Sequence, residues 1–351
     1  MSNIYAISPA PQIKQHISIK SVMWQVVAAL IPALIAAVIF FGINALLLTV
    51  YGVIAAVVTE GLIQKWRKVP ITISDGSAVV TGMLIAFNIN AGAPWWIPVV
   101  GSVFAIAIGK QVFGGLGYNV FNPALLGRAF LMASWPTLMT AGWVKTTYNS
   151  INGLDIASLP AKIPAVITSA TPLGVAKALR DTTQIAPETA NIVINKLADL
   201  HTIANLFWGN VGGVLGEVSA AALLLGAAYL AMKRIIEWRI PTFYIGTVFV
   251  LTYIFGGING LFSASLLLPV FHIFSGGLIL GAFFMATDMV TSPVTKKGRI
   301  YFGIGLGILT VTIRLVGGYP EGVSYSILLM NIVVPLFDRY SLPKFFGEAK
   351  K

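Results

Sequence analysis

Long uninterrupted apolar runs dominate the chain. A transmembrane helix needs about 20 apolar residues, because each residue rises about 1.5 Å and the hydrocarbon layer is roughly 30 Å thick. Runs near this length cover 22–41, 45–63, 123–139, 218–235, 242–260, 266–287, 300–316 and 323–337. The pattern predicts an all-α polytopic membrane protein.

Two further apolar runs, 77–91 and 96–110, are short and interrupted by Gly, Asn and Pro. With them the chain has about ten transmembrane segments. Short segments broken by Gly and Pro are typical of discontinuous helices in transporters. The alternative is therefore eight full spans and a re-entrant pair.

A polar stretch divides these segments into two sets of five. We predict a first membrane half at 1–139, an outer-face loop at 140–217 and a second membrane half at 218–351. Five segments on each side would suit an inverted repeat, which is a frequent transporter plan. The stretches "SDGSAVVTG" (74–82) and "ATDMVTSPV" (286–294) show weak internal similarity, since each places an Asp beside Thr or Ser at a helix end.

Composition supports the membrane interpretation. The 351 residues are 57% hydrophobic and 10% charged, whereas soluble domains are about 25% charged. The first residues lack a short apolar core followed by a cleavage site. We therefore expect the first apolar run to remain as a helix.

The positions of Lys and Arg predict the topology. The short connections at 42–44, 92–95, 261–265 and 317–322 contain neither residue. The alternate segments, with slight fraying at helix ends, hold Lys14, Lys20, Lys65, Arg67, Lys68, Lys110, Lys233, Arg234, Arg239, Lys296, Lys297, Arg299, Arg339, Lys344, Lys350 and Lys351. Because basic connections stay in the cytoplasm, we predict cytoplasmic termini and an outer position for loop 140–217.

The chain contains no cysteine and three scattered histidines. This excludes disulfides and cysteine-bound iron–sulfur clusters, and it argues against a haem or metal site. If the protein carries electrons, its carrier is expected to be organic.

The outer loop contains the hydroxyl-rich run "TSAT" at 168–171, directly before Pro172. Its simplest interpretation is a turn, with Pro172 starting the short helix "PLGVAKALR". A hydroxyl before a helix start also lies where backbone N–H groups favour a phosphate, and Lys177 and Arg180 follow within three turns. The residues alone leave both interpretations open.

The stretch "GGLGYNVFNPALLGRAF" at 114–130 has the features of a helix start. Asn122 is a predicted N-cap and Pro123 occupies the first turn. Arg128 follows within an apolar helix, where an arginine is costly and is by default a functional or pairing residue.

Several acids lie at predicted helix ends, and two have hydroxyl neighbours. Asp75 is flanked by Ser74 and Ser77, and Asp288 by Thr287, Thr291 and Ser292. Hydroxyl and carboxylate oxygens suit a hard cation such as sodium. The candidate ion-path residues are therefore Asp75, Asp288, Thr287 and Ser292.

Three stretches carry a family resemblance: "TSAT", "SDGSAVVTGMLIAFNI" and "GKQVFGGLGYNVFNPALLGRAF". They resemble the family that includes the D subunit of the Rnf complex, an ion-translocating ferredoxin:NAD oxidoreductase. The same family includes the B subunit of the sodium-translocating NADH:quinone reductase. The resemblance covers most of the chain, and the short segment before the first helix favours the Rnf branch.

The resemblance implies a membrane flavoprotein. FMN would be joined through a phosphoester to Thr171, the last residue of the signature, although Ser169 stands where glycine is usual. The surrounding cofactor-binding candidates are Thr168, Ser169, Ala170, Lys177 and Arg180. Segment 114–130, with Arg128, is a candidate for holding a second, non-covalent flavin (riboflavin) or for lining the ion path.

The resemblance also implies a place in a larger assembly in the bacterial cytoplasmic (inner) membrane. Electrons would pass between ferredoxin and NAD while Na⁺ or H⁺ is moved, with no complete active site in this chain alone. The implied partners are iron–sulfur subunits, a second flavin subunit and a flavin transferase, and nucleic acid is not among them. The alternatives are the quinone-reductase B subunit and a non-redox solute channel or carrier.

Overall fold

We analysed a computed structural model of the chain. It describes residues 18–140, 171–181, 199–217, 219–256, 265–318 and 321–341. The regular structure of these residues is helical, apart from an isolated antiparallel bridge between Asn90 and Val214. This agrees with the predicted all-α class.

The first half contains six described α-helices and a 3-10 helix, Ile73–Asp75. The α-helices are α1 (Ile19–Phe41), α2 (Ile43–Trp66), α3 (Ser77–Phe87), α4 (Trp96–Ile106), α5 (Pro123–Ser134) and α6 (Pro136–Thr140). A π-helical turn, Ala107–Gln111, continues α4. The short, interrupted runs predicted at 77–91 and 96–110 thus form two short helices.

Two α-helices and a 3-10 helix, Leu215–Glu217, are described in the polar region, and six α-helices in the second half. The α-helices are α7 (Pro172–Asp181), α8 (Leu200–Trp208), α9 (Ala220–Met232), α10 (Arg239–Phe255), α11 (Leu267–Phe274), α12 (Leu278–Leu280), α13 (Lys296–Leu315) and α14 (Val323–Ser341). A π-helical turn, Gly281–Met285, continues α12. The predicted run 266–287 is therefore broken in the middle.

By length and composition, α1, α2 and α13 are apolar enough to cross a membrane. The pair formed by α11 and the segment Leu278–Met285 is bent by 67° and gives a fourth span if it counts as one. Four shorter apolar helices, α3, α4 with its π-helical turn, α9 and α10, have 10–17 residues. The protein is thus a helical membrane protein, while ten segments and an inverted repeat stay predictions.

Close packing in the first half depends on small residues. A methyl group at Gly82 of α3 would lie 2.6 Å from the Cα of Val53 on α2. Since real Cβ atoms do not approach backbone so closely, glycine lets α2 and α3 pack tightly.

The two ends of helix α13 serve as reference points for locating the candidate sites. Its 20 residues span about 30 Å, from the end at Lys296 to the end at Arg314. Helix α14 runs back beside it, because Ser341 bonds Thr295 near the first end and Gly322 packs on Thr310 towards the second. We call these the Lys296 end and the Arg314 end.

Candidate flavin and ion sites

Thr171 caps the N-terminus of α7. The N–H of Gly174 donates to Thr171 Oγ1 at 3.2 Å, and the N–H of Val175 donates to the Thr171 carbonyl at 2.9 Å. The helix predicted from Pro172 is confirmed. The Thr171 hydroxyl is half-buried and lies at a helix N-terminus, where free N–H groups and the helix dipole favour an anion.

Helix α7 is docked on the Arg314 end. Leu173 and Val175 are buried, and Leu173 Cδ2 lies 3.2 Å from the Cβ position of Gly276, between α11 and α12. Lys177 donates to the carbonyl of Gly317, just after α13. Apolar and polar contacts therefore fix the direction of the helix that carries Thr171.

The remaining predicted residues of this site are described only in part. Thr168, Ser169 and Ala170 lie outside the described residues. The backbone of Arg180 belongs to α7, but its side chain is outside the described part.

Arg128 lies near α7 in a buried polar cluster. The side chain is 5% exposed, and its Nη1 donates to Asn88 Oδ1 at 2.8 Å and to Ser324 Oγ at 2.7 Å. Its Nη2 forms an ion pair with Glu321. Arg128 therefore pairs elements from both halves, as expected for an intramembrane arginine.

Arg314 stabilises the break between α11 and α12. Its guanidinium, on a residue that is 4% exposed, donates to the carbonyls of His272 at 2.6 Å and Ser275 at 3.1 Å. These carbonyls end α11, where a cation offsets the negative end of the helix dipole.

Glu217 completes this group. It interacts electrostatically with Arg128 and Arg314, and its Oε1 lies 2.8 Å from the Cβ position of Gly277. We name Arg128, Glu217, Arg314 and Glu321 the Arg314 cluster. Its two cations and two anions balance, which limits the cost of burying charge.

A cavity of about 90 Å³ lies away from α7. Segment 114–130 lines it through Leu116, Asn119, Asn122, Pro123 and Ala124, and other lining residues include Ser77, Lys110, Thr287 and Asp288. A neighbouring cavity shares Thr287 and is lined by Arg299 in the first turn of α13. Both cavities therefore belong to the Lys296 end.

The ion-path candidates of the second half are grouped at these cavities. Asp288 Oδ2 accepts a hydrogen bond from Thr291 Oγ1 at 3.2 Å, and Thr287 donates to the carbonyl of Phe283. Ser292 lines the neighbouring cavity. Carboxylate, hydroxyl and carbonyl oxygens thus occur together, as a hard cation requires.

Asp75 has a different environment. Its Oδ1 accepts hydrogen bonds from the N–H of Ser77 at 2.8 Å and from Ser77 Oγ at 2.5 Å. The Asp75 carboxylate therefore caps α3, and Ser77 rather than Asp75 reaches the cavity. The structure does not group the two predicted aspartates in one site.

Lys110, which the topology prediction counts with a cytoplasmic connection, is buried in the helical turn that continues α4. The side chain is 2% exposed, and its Nζ lies 2.6 Å from both Glu60 Oε1 and Ser77 Oγ. Burying this cation is possible because Glu60 neutralises it. Their separation of 50 positions gives no local sequence signal.

Asn122 shows where local patterns suffice. Its Oδ1 accepts from the N–H groups of Ala124 at 3.1 Å and Leu125 at 3.4 Å, so the predicted cap of α5 is confirmed. The capping geometry needs only neighbouring residues, which explains why the sequence predicts it.

Comparison with known proteins identifies the family. The model of the NQR2, RnfD, RnfE family matches residues 6–347. The chain belongs to the NQR2, RnfD, RnfE family. The resemblance found in the sequence is thus confirmed over nearly the full length of the chain.

Several members of this family are similar to the chain along their whole length. The chain is 48% identical to the D subunit of the Na⁺-translocating ferredoxin:NAD⁺ oxidoreductase complex of Acetobacterium woodii, over 98% of this chain and 96% of that protein. It is 46% identical to the D subunit of the proton-translocating ferredoxin:NAD⁺ oxidoreductase complex of Clostridium ljungdahlii, over 99% and 98%. The D subunit of an ion-translocating oxidoreductase complex from Aliivibrio salmonicida is 34% identical, over 99% of both chains.

Proposed function

We propose that this chain is the membrane flavoprotein D subunit of an ion-translocating ferredoxin:NAD⁺ oxidoreductase complex. The names of its full-length relatives support this assignment over the quinone-reductase B subunit and over a solute carrier. The chain would relay electrons, while complete catalysis requires the other subunits.

Thr171 is the residue that we propose to carry FMN through a phosphoester. The observation that supports this choice is the position of its hydroxyl, at the N-terminus of a helix held by Leu173, Val175 and Lys177. The helix N-terminus offers a favourable field to the phosphate. When bound, FMN supplies one- and two-electron redox chemistry, and the protein supplies position and electrostatics.

The other predicted residues near Thr171 receive distinct roles in this proposal. Thr168, Ser169 and Ala170 form the signature that a flavin transferase would recognise. Lys177 positions α7 through Gly317, and Arg180 is a candidate for the phosphate or the flavin edge. Arg128 acts in the Arg314 cluster, because its ion pair and its hydrogen bonds to Asn88 and Ser324 lie there.

We place the coupling-ion path at the Lys296 end. Asp288, Thr287 and Ser292 supply oxygen ligands for Na⁺ or a route for H⁺, and Asp75 orders Ser77 at the cavity wall. Segment 114–130, which lines the cavity at this end, is the candidate for holding a second, non-covalent flavin such as riboflavin.

The implied topology completes the proposal. The Lys296 end, with Lys296, Lys297 and Arg299, faces the cytoplasm of a bacterial cell, and α7 faces outward. Iron–sulfur subunits, a second flavin subunit and the flavin transferase would be the partners.

Flavin fluorescence on a denaturing gel tests the assignment. The chain would be expressed with its complex and flavin transferase, denatured, and viewed under ultraviolet light. We expect a fluorescent band for the native chain and for Thr168→Val, and a dark band for Thr171→Val. Because Thr168→Val is a matched change in the same run, fluorescence that follows Thr168 instead would contradict the assignment.

A further inference from the structure

Three buried polar atoms near the break between α11 and α12 have no hydrogen-bond partner among the described residues. They are Glu217 Oε1, Ser275 Oγ and Arg314 Nε. Ser275 is 1% exposed and Arg314 is 4% exposed. Buried polar atoms are normally satisfied, so three in one place point to a functional site.

Two glycines create the space around these atoms. Arg314 Nη2 lies 3.1 Å from the Cβ position of Gly276, and Glu217 Oε1 lies 2.8 Å from that of Gly277. Ser275 is joined to Arg314 through its carbonyl. Glu217 Oε1, the Arg314 guanidinium and the Ser275 hydroxyl therefore lie around the same short stretch of backbone, 275–277.

The donor and acceptor character of the group selects its ligand. Arg314 Nε can only donate, an ionised Glu217 can only accept, and Ser275 Oγ can do both. The two guanidinium groups repel a metal cation, and an N–H donor cannot coordinate a metal ion. A proton carried by water, which both donates and accepts hydrogen bonds, matches this set.

We propose that Glu217 is a proton-binding group at the Arg314 end, with Ser275 and Arg314 as its positioning residues. The carboxylate takes a proton from water, becomes a neutral carboxylic acid and returns the proton to water. No other bond is made or broken. The use of this step in ion translocation rests on the proposed function, whereas proton binding itself does not.

The surrounding charged and titratable groups define the field at Glu217. Arg128 and Arg314 act on it directly, and Glu321 pairs with Arg128. Other such groups packed around the two arginines and α7 are Lys177, Tyr244, His272 and Tyr325. Because Arg128 is paired with Glu321 and Arg314 with carbonyls, both arginines keep their partners when Glu217 is neutral.

Infrared difference spectroscopy on the intact complex tests this proposal. Spectra of the complex at acidic and alkaline pH would be subtracted, in H₂O and in D₂O. We expect an acid-induced carboxylic C=O band that shifts in D₂O and is missing from Glu217→Gln. The matched control, Asp199→Asn, removes an exposed carboxylate before α8 and should keep the band.

Further variants make the outcome decisive. Gly277→Ala should shift the band, since the new methyl group displaces Glu217 Oε1. If Glu217→Gln does not assemble, Glu217→Asp should move the band instead of removing it.

Two results would overturn the proposal. One is that the carboxylic C=O bands of every Glu217 and Gly277 variant are the same as those of the native complex. The other is loss of the Glu217 band on adding Na⁺ at constant pH, which would make the group a metal-cation site. A dark gel band would refute the flavin assignment and leave this spectroscopic result intact.

Discussion

Two buried ionic groups occupy the Lys296 end and the Arg314 end, and they are built differently. At the Lys296 end, Glu60 Oε1 accepts from Lys110 at 2.6 Å, Gln111 at 3.0 Å and Gln64 at 3.2 Å. These side chains come from α2 and the end of α4. At the Arg314 end, Glu217 Oε1 has no partner among the described residues.

From this difference we assign a packing role to the Glu60 site and expect little packing contribution from Glu217. The Lys110–Glu60 pair lies within the first half and concentrates three donors on one oxygen, so it fixes α2 against α4. The Arg314 cluster joins both halves near the helix that carries Thr171. Glu217 Oε1, Ser275 Oγ and Arg314 Nε have no partner among the described residues there, whereas Glu60 Oε2 lacks one at the first site. Substitutions should therefore affect stability strongly at the first site and least at Glu217.

Loss of Lys110 should have the largest effect on stability. Lys110→Met leaves Glu60 as a buried, unpaired charge, which costs about 3–5 kcal/mol of unfolding free energy. Thermal unfolding of the purified chain in detergent would measure the change. The control Lys297→Met removes an exposed lysine and should cost less than about 0.5 kcal/mol. Equal effects would refute the packing role.

Loss of Arg128 should cost somewhat less. Glu321, its partner, is 16% exposed and can reach water, so Arg128→Met should cost about 2–3 kcal/mol. The double variant with Glu321→Gln should recover part of the loss, because no unpaired charge remains. Purely additive losses in a thermal-unfolding cycle would show that the two residues do not interact.

The same Gly→Ala change should have different effects on the free energy of unfolding in the two regions. At Gly82 the methyl group meets the backbone of Val53, which cannot easily move, so we expect a loss of about 1–3 kcal/mol. At Gly277 it meets the end of a flexible Glu217 side chain, so we expect less than about 1 kcal/mol. Gly246→Ala, with no atom within 4 Å, provides the baseline. A larger loss of unfolding free energy for Gly277→Ala than for Gly82→Ala would contradict the tighter packing that we assign to the first half.

Glu217→Gln should have the smallest effect. It removes one anion from the Arg314 cluster, but it breaks no hydrogen bond to Oε1, and Arg128 and Arg314 keep Glu321 and the carbonyls as partners. The loss should therefore be about 1 kcal/mol or less. Unfolding curves of the two glutamate variants, Glu60→Gln and Glu217→Gln, should therefore be clearly separated. Curves that coincide would mean that Glu217 contributes to packing as much as Glu60 does.

Local features of the fold are predictable from the sequence, and long-range pairs are not. The start of α7 at Pro172, the Asn122 cap and the break in 77–110 depend on residues close in the chain. The pairs Lys110–Glu60 and Arg128–Glu321 join positions 50 and 193 residues apart. An apolar sequence does not show which distant charges meet, so it marks Arg128 as a pairing residue without indicating its partner.

Residue-level mass spectrometry tests the central claim, that Thr171 carries the flavin, most directly. Trypsin cuts after Lys162 and Lys177 and releases the peptide 163–177, which includes the whole "TSAT" run. We expect this peptide to be heavier by one FMN less one water, with fragment ions that place the addition on Thr171. An unmodified peptide from cells that express the flavin transferase, or an addition on Thr168 or Ser169, would contradict the account.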